Sequence, residues 1–559
     1  MKSLICIFML SLVMTATAVA AAPSITAAGI VNAASYAPPG LPGSNIAQGS
    51  LFIIFGTNMG PANLQQAGSF PLPTNLGGTS ITVTVAATTV SCIMIYTSAN
   101  QVAAILPSSA PVGTGTLTLT FNGSASSSVA ITVVSGSFGI FTLNEAGTGP
   151  GIITDANYKL IERNNTAKAG DVLIIWGTGL GPVTGNEAGG ALPGDMPNIP
   201  ITVYIGGQKA SVSYRGRSGC CAALDQIVFT VPAGVTGCSV PVTVQIGNTV
   251  GNYVTTALGT GGTCTDPTSP NNITTILQNG GSFGFASLGR STSSTPAIGP
   301  IPASTTTTDT GSASFVKYTA QQLALAQNPF QAYTIGSCVV YTYSGQSASI
   351  VDPIKPVGLD AGNQITVNGP NGTKQLPELS GSTKGVYTAT LGGGSGLNPP
   401  PLYLSPGSYT LTGPGGADVG AFSLNLTVPP NLTWTNMSSV AASPIIRANG
   451  QLITWTGGDP NGNVTISGGS LVFNVSTPNA SVGAFFLCTA PVSAGQFNIP
   501  APVLLALPPS STISTGGISI PTGSLAVGGY SQVVKFTAPG LDVGYADTSV
   551  TSTATVTYQ

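Results

Sequence analysis

The chain of 559 residues contains no histidine. That absence removes Ser-His-Asp triads, Cys-His dyads, His-bearing zinc hydrolase motifs and the usual neutral-pH proton shuttle. Charge is scarce as well: 5% of residues are Asp, Glu, Lys or Arg, with 14 basic against 16 acidic. Nucleic acid and anionic membrane surfaces demand clustered Lys and Arg, so neither is an expected partner. Past the first 22 residues no apolar run approaches the ~20 residues of a bilayer-spanning helix, so no transmembrane span is expected once a leader is removed. The sequence has no C-x-x-C spacing to accompany the missing histidine, so no metal site and no cofactor are expected. Tryptophan occurs only three times, which makes each indole worth placing.

What is present points to many short strands. Apolar residues make up 42% of the chain, too many for disorder, and they are interspersed with 74 Gly and 43 Pro. Lys2, the apolar stretch Leu4 to Met14 and Ala18-Val19-Ala20 read as a secretory signal over 1–20. Export implies an oxidising compartment, so the remaining cysteines are read first as disulfides. Adjacent Cys220 and Cys221 are not expected to pair with each other. Two ways of joining them to Cys238 and Cys264 stay open, Cys338 with Cys488 is a further long-range option, and Cys92 is left over.

The phrase Gly170-Asp-Val-Leu-Ile-Ile-Trp-Gly-Thr-Gly-Leu-Gly-Pro182 is a short apolar run delivered into a Gly-Pro turn, which predicts a buried strand with Trp176 in the core. It repeats Gly49-Ser-Leu-Phe-Ile-Ile-Phe-Gly-Thr-Asn-Met-Gly-Pro61, 121 residues earlier. Gly29 to Tyr36 is likewise answered by Gly151 to Tyr158, and Ile81 to Val85 by Ile201 to Ile205. Gln101 to Pro107 corresponds to Gln226 to Pro232, and Leu117 to Phe121 to Val242 to Ile246. Alternation within these segments marks sheets with one buried face. Modules over 24–144 and 145–264 follow, each sized for an immunoglobulin-like sandwich.

These phrases, with Ile205-Gly-Gly-Gln-Lys-Ala210 and Pro241-Val-Thr-Val-Gln-Ile-Gly247, resemble IPT/TIG immunoglobulin-like domains. More narrowly, residues 28–264 look like the Solibacter-type C-terminal domain of secreted acidobacterial proteins. The resemblance implies a β-sandwich in a bacterial envelope or extracellular setting and carries over no catalytic residue. The Gly219-Cys-Cys-Ala222 loop departs from it, as does Ala86-Ala87 in place of the Gly-Gly hairpin.

Residues 265–312 are rich in Ser, Thr, Pro and Gly and read as a linker. Tyr318 to Gln327 predicts a helix, and strands resume in a β-rich domain over 313–430 and an Ig-like one over 431–559. The expected fold class is therefore all-β: tandem immunoglobulin-like sandwiches followed by further β-rich domains. Gly358-Leu-Asp-Ala-Gly362, Gly416-Ala-Asp-Val-Gly420 and Gly540-Leu-Asp-Val-Gly544 recur as Asp-capped turns, since one carboxylate per loop is poor calcium ligation. Asp459-Pro-Asn-Gly-Asn463 is read as a hairpin turn. Gly280-Gly-Ser-Phe-Gly284 and Ser314-Phe-Val-Lys317 match hydrolase and penicillin-recognising motifs by composition alone.

Two functions are weighed. The first is an exported, non-catalytic adhesive, scaffolding or surface-binding chain, partnered by a surface protein or glycan, and secreted or held in the cell envelope. The second is a carbohydrate-binding or carbohydrate-processing protein, with Trp434 and Trp455 as stacking platforms or Asp352, Asp360, Glu378 and Asp418 as a carboxylate pool.

Overall fold

The computed structural model describes residues 21–559 except 267–268, 296, 298–301, 327–329, 331–333, 345–354, 380–383, 397, 473–480 and 516–517. The expected signal segment and Asp352 lie outside the described residues. The chain is all-β with a few short helices.

In the first module, strand Leu51–Thr57 lies between Ser24–Asn32 and Gln101–Ile105. A facing sheet sets Thr79–Val85 against Gly113–Phe121 and Thr88–Ser91. Alternation works as expected: Ile81, Val83 and Val85 are buried, while Thr82 and Thr84 are half-exposed. The two inner faces close over Phe52, Ile54, Val102, Leu117 and Leu119, with Cys92 buried among them as a free thiol.

The second module repeats the neighbours. Val172–Thr178 pairs with Asp225–Thr230 on one side and with Gly139–Ile140 and Ile153–Asp155 on the other. Ile201–Ile205 pairs with Gly237–Ile246, as its counterpart does in the first module. Here the long strand Gln208–Arg217 pairs both ways, so one continuous 10-stranded sheet wraps around the core.

The rest of the chain departs from the sequence reading in two ways. The stretch 265–312 is not a linker. It contains helix Ile273–Asn279 and most of a long hairpin, Gly281–Thr295 with Ser304–Tyr318. Threonine suits extended backbone through its branched Cβ, and the strand also pairs in parallel with Val543–Val556 at the far end of the chain. Nor does the division at 430 hold as two consecutive units. Strand Cys338–Ser344 pairs with Val482–Pro491, within the 10-stranded sheet that also holds the 281–318 hairpin. Among the described residues this interleaved body has three core clusters. One gathers Phe315, Tyr387, Tyr409 and Phe422, a second gathers Val340, Trp455, Phe486 and Leu525, and a smaller third gathers Ile276, Phe283, Phe330 and Tyr545.

Buried charge in this body is compensated. Asp309 is fully buried and accepts from Arg290 Nε (2.7 Å) and Nη2 (2.9 Å), and from the Tyr403 and Leu404 amides (2.7 Å each). Asp547 has weaker support. Burial raises its carboxyl above the ordinary aspartate range, with the Ser287 hydroxyl only partly opposing. The folded chain therefore holds an extra proton just above the unfolded pKa of about 3.9. The site's favourable contribution is complete below that value and is lost as pH rises through the folded one. Asp547→Asn is expected to raise the melting temperature at pH 7 and leave it unchanged near pH 3. A fall at pH 7 would identify the carboxylate as a stabilising partner instead.

Cys238 bonds to Cys264 and Cys338 to Cys488. Cys220 and Cys221 bond to each other, which corrects the expectation that each would seek Cys238 or Cys264. The reason is topological: Cys238 and Cys264 lie together with Ala257, while the 220–221 loop packs its neighbour Ala223 against Ile93 and Ile105 of the first module.

Candidate functional site

The two platform candidates are core residues. Trp434 and Trp455 face each other across paired strands and are 5% and 3% exposed. Their indole N–H groups donate inward, to Asn436 Oδ1 (2.8 Å) and to the Val492 carbonyl (2.9 Å). A buried indole with a satisfied donor offers no ring face to a sugar.

The described carboxylates of the third region do converge, around Lys384. Asp418 Oδ2 accepts from Lys384 Nζ (2.7 Å) and from the Asp360 amide (2.9 Å). Asp360 caps the Gly362 amide (2.8 Å), and Glu378 accepts from the Gly385 amide (2.7 Å). Lys384 holds the Asp418 carboxyl below the usual range. Each acid accepts from a backbone amide, and a lysine occupies their midst.

The glycine-flanked Asp phrases turn out to clasp one another, which the sequence alone did not disclose. The Asp418 and Val419 amides donate to the Asp360 carbonyl (3.1 and 2.9 Å), and the Gly420 amide to that of Pro539 (2.8 Å). Asp542 accepts from the Ser282 amide (2.8 Å). Asp459 caps Asn461 in its own turn (2.9 Å). Among the described residues, no group of three or more Cys, Asp or Glu is arranged to hold a metal. Gly280 to Gly284 runs from a helix end into a strand, and Ser314 and Lys317 lie three apart on a strand, hence on opposite faces. Neither motif takes its catalytic form.

The junctions between modules are built from buried polar groups. Arg217 is 2% exposed and bonds Asp225 through Nη1, while its Nη2 reaches the carbonyls of Gly49 in the first module (2.7 Å) and Gly181 in the second (3.0 Å). Asp225 Oδ2 accepts from the Gly179 and Leu180 amides (2.8 Å each). Gly179 has φ +108 and a side chain there would strike the Ser137 carbonyl, so the Gly-Thr-Gly-Leu-Gly-Pro turn needs glycine at this point. Glu187 reaches back to the Ser108 amide (2.7 Å) and hydroxyl (2.9 Å).

The second module meets the interleaved body through Arg163, which lies 5.0 Å from the centre of the Phe330 ring and donates to the Ser239 hydroxyl. Burial pulls its guanidinium down to about 10. A small cleft opens beside it, lined by Arg163, Glu162, Thr255, Leu277 and Leu323. Val250 and Tyr253 of the second module enter the core around Trp455.

Trp176, expected in the core, is only half-buried. Leu173 and Ile175 point inward, and the alternation that buries them turns Trp176 to the outer face. Its Nε1 donates to Thr154 Oγ1 (3.0 Å), and its ring lies 5.9 Å from that of Tyr158, which is 69% exposed. A second outward aromatic group, Tyr341, Tyr343 and Phe485, flanks the 338–344 edge strand. Strand parity could have moved Trp176 outward from sequence, given which of its neighbours face the core.

No described protein family and no curated protein matches the sequence. Among solved structures, the chain is similar to SGBP-B of the Bacteroides ovatus mixed-linkage glucan utilization locus, at 12% identity over 82% of this chain and 93% of that one, with a TM-score of 0.12. It is 15% identical to the plexin A4 extracellular region over 42% of this chain (TM-score 0.15), and so spans only 18% of that region. The titin I9–I11 tandem is 7% identical over 73% of this chain and 96% of that one (TM-score 0.13). Alignments this loose leave the architecture resting on the strand pairings themselves.

Proposed function

We propose that this is an exported, non-catalytic adhesive or scaffolding protein that binds at a surface outside the cytoplasm. The observation that carries the proposal is the Arg217 junction, where one buried guanidinium ties the carbonyls of both modules to Asp225. Modules fixed in this way present their outer faces at constant spacing, which is useful for engaging an extended partner and unnecessary for a tethered catalyst. The disulfides suit an oxidising setting, and the IPT/TIG-like phrases of 28–264 point to the same envelope or extracellular context. No described helix is long and apolar enough to cross a membrane.

The carbohydrate-processing alternative has less support, because glycoside hydrolysis needs one carboxyl kept protonated and another free, whereas Asp360, Glu378 and Asp418 all accept hydrogen bonds from backbone amides. The test is to mix the mature chain with cell-envelope fractions and insoluble polysaccharides and to assay both co-sedimentation and release of reducing ends. Co-sedimentation without release is expected. Release that disappears in Glu378→Gln or Asp418→Asn would refute the non-catalytic reading.

A further inference from the structure

The two modules carry the same aromatic device, put to different uses. In the first, Tyr36 sits at φ 49 with its ring 6.4 Å from that of Phe55; one module later, Tyr158 sits at φ 63 with its ring 5.9 Å from that of Trp176. A left-handed tyrosine is a rare choice, and its recurrence at matching positions marks a built feature. In the first module this surface is used for packing. Asn32 donates to the Ser137 and Thr178 carbonyls (3.3 Å each), and Phe141, next to the strand Gly139–Ile140 that pairs into the second module's sheet, joins Tyr36, Phe55 and Tyr96 around Val31 and Ile53.

In the second module the position of Asn32 is held by Thr154, whose hydroxyl is occupied by the Trp176 indole. The amide that gripped a neighbouring backbone is gone, and the aromatic pair is left open. The Tyr158 turn is rigid, since Asp155 Oδ1 accepts from the Asn157 (2.8 Å) and Lys159 (2.9 Å) amides. Lys159 is drawn aside to Asn165 Oδ1 (2.8 Å), so both nearby charges are engaged. Two neutral carboxamides accompany the pair: exposed Asn157 precedes Tyr158 on the turn, and Gln226 is the cross-strand partner of Trp176.

We propose that Tyr158 and Trp176, with Asn157 and Gln226, form a subsite for a neutral polysaccharide chain. An indole and a phenol present flat apolar faces to the C–H side of a sugar ring, the carboxamides hydrogen-bond its hydroxyls, and an open ledge accepts an internal unit of a polymer. A peptide partner is less well matched, because the backbone-binding amide is the group that differs from the packed copy. The proposal deepens the surface-binding function and rests on it.

The full chain is titrated with soluble neutral hexasaccharides of glucose, xylose and mannose, followed by calorimetry and by tryptophan fluorescence. Tyr158→Asn keeps a residue tolerant of positive φ, and Trp176→Phe installs the ring that the first module already carries. Each is expected to weaken saccharide binding at least tenfold, Tyr158→Asn without shifting the melting temperature. No binding to any of the three sugars, or binding unchanged in both variants, would overturn the subsite; co-sedimentation with envelope fractions surviving in those variants would leave the broader function standing. Concentration-dependent self-association abolished by Tyr158→Asn would also overturn it, assigning the ledge to module docking.

Discussion

Replacing Cys338 and Cys488 together with alanine is expected to destabilise the interleaved body by about 5 kcal/mol, since the bridge closes a loop of 150 residues in the unfolded chain. Both cysteines are buried, so lost packing adds to the entropic term. The contrast with Cys220 and Cys221 makes the prediction sharp. Adjacent residues close almost no loop, so Cys220→Ser with Cys221→Ser is expected to cost under ~1 kcal/mol on the same reasoning. Urea unfolding of the oxidised protein and both double variants checks the pair. Equal costs would show that the long bridge does not constrain the unfolded chain.

The same bridge shows why half of the architecture was hard to read from sequence. The tandem modules were legible because each strand phrase is short, alternating and closed by Gly or Pro, and its partners lie within one module length. The interleaved body lacks that locality: Gly281–Thr295 finds its parallel partner in Val543–Val556, and Cys338–Ser344 finds its partner in Val482–Pro491. Pairings at such separation leave no local signature, and a strand written in Ser, Thr and Gly looks like a linker. The site errors share one cause. Trp176 was placed in the core, and Trp434 and Trp455 were kept as sugar platforms only under the second function, because run composition does not say which face of a strand is covered. Pairing decides it: Trp434 and Trp455 turn inward together, and Trp176 turns outward beside Tyr158. The clasped Gly-x-Asp-x-Gly turns were recognisable one at a time, but not their mutual contact.

Asp225→Ala is expected to cost about 3–5 kcal/mol, because it removes the bonded counter-charge of the buried Arg217 guanidinium and leaves only Glu187, 4.0 Å away. Burial by itself pushes the Asp225 carboxyl above its usual range, and Arg217 with the Leu180 and Gly179 amides opposes that push. The loss should be concentrated at the junction, since the same guanidinium holds the Gly49 and Gly181 carbonyls and the same carboxylate holds the Gly179 turn. Thermal unfolding would show the cost, and limited proteolysis would show new cleavage near 179–190 before the sandwich cores open. Arg217→Met with Asp225→Leu provides the control. Removing both charges together strands neither member of the pair, and Glu187 keeps its bonds to Ser108, so stability should recover much of the loss. If the alanine variant costs less than about 1 kcal/mol, Arg217 finds water or another acceptor at the junction. The rigid spacing on which the surface-binding function depends would then have to come from the apolar contacts alone.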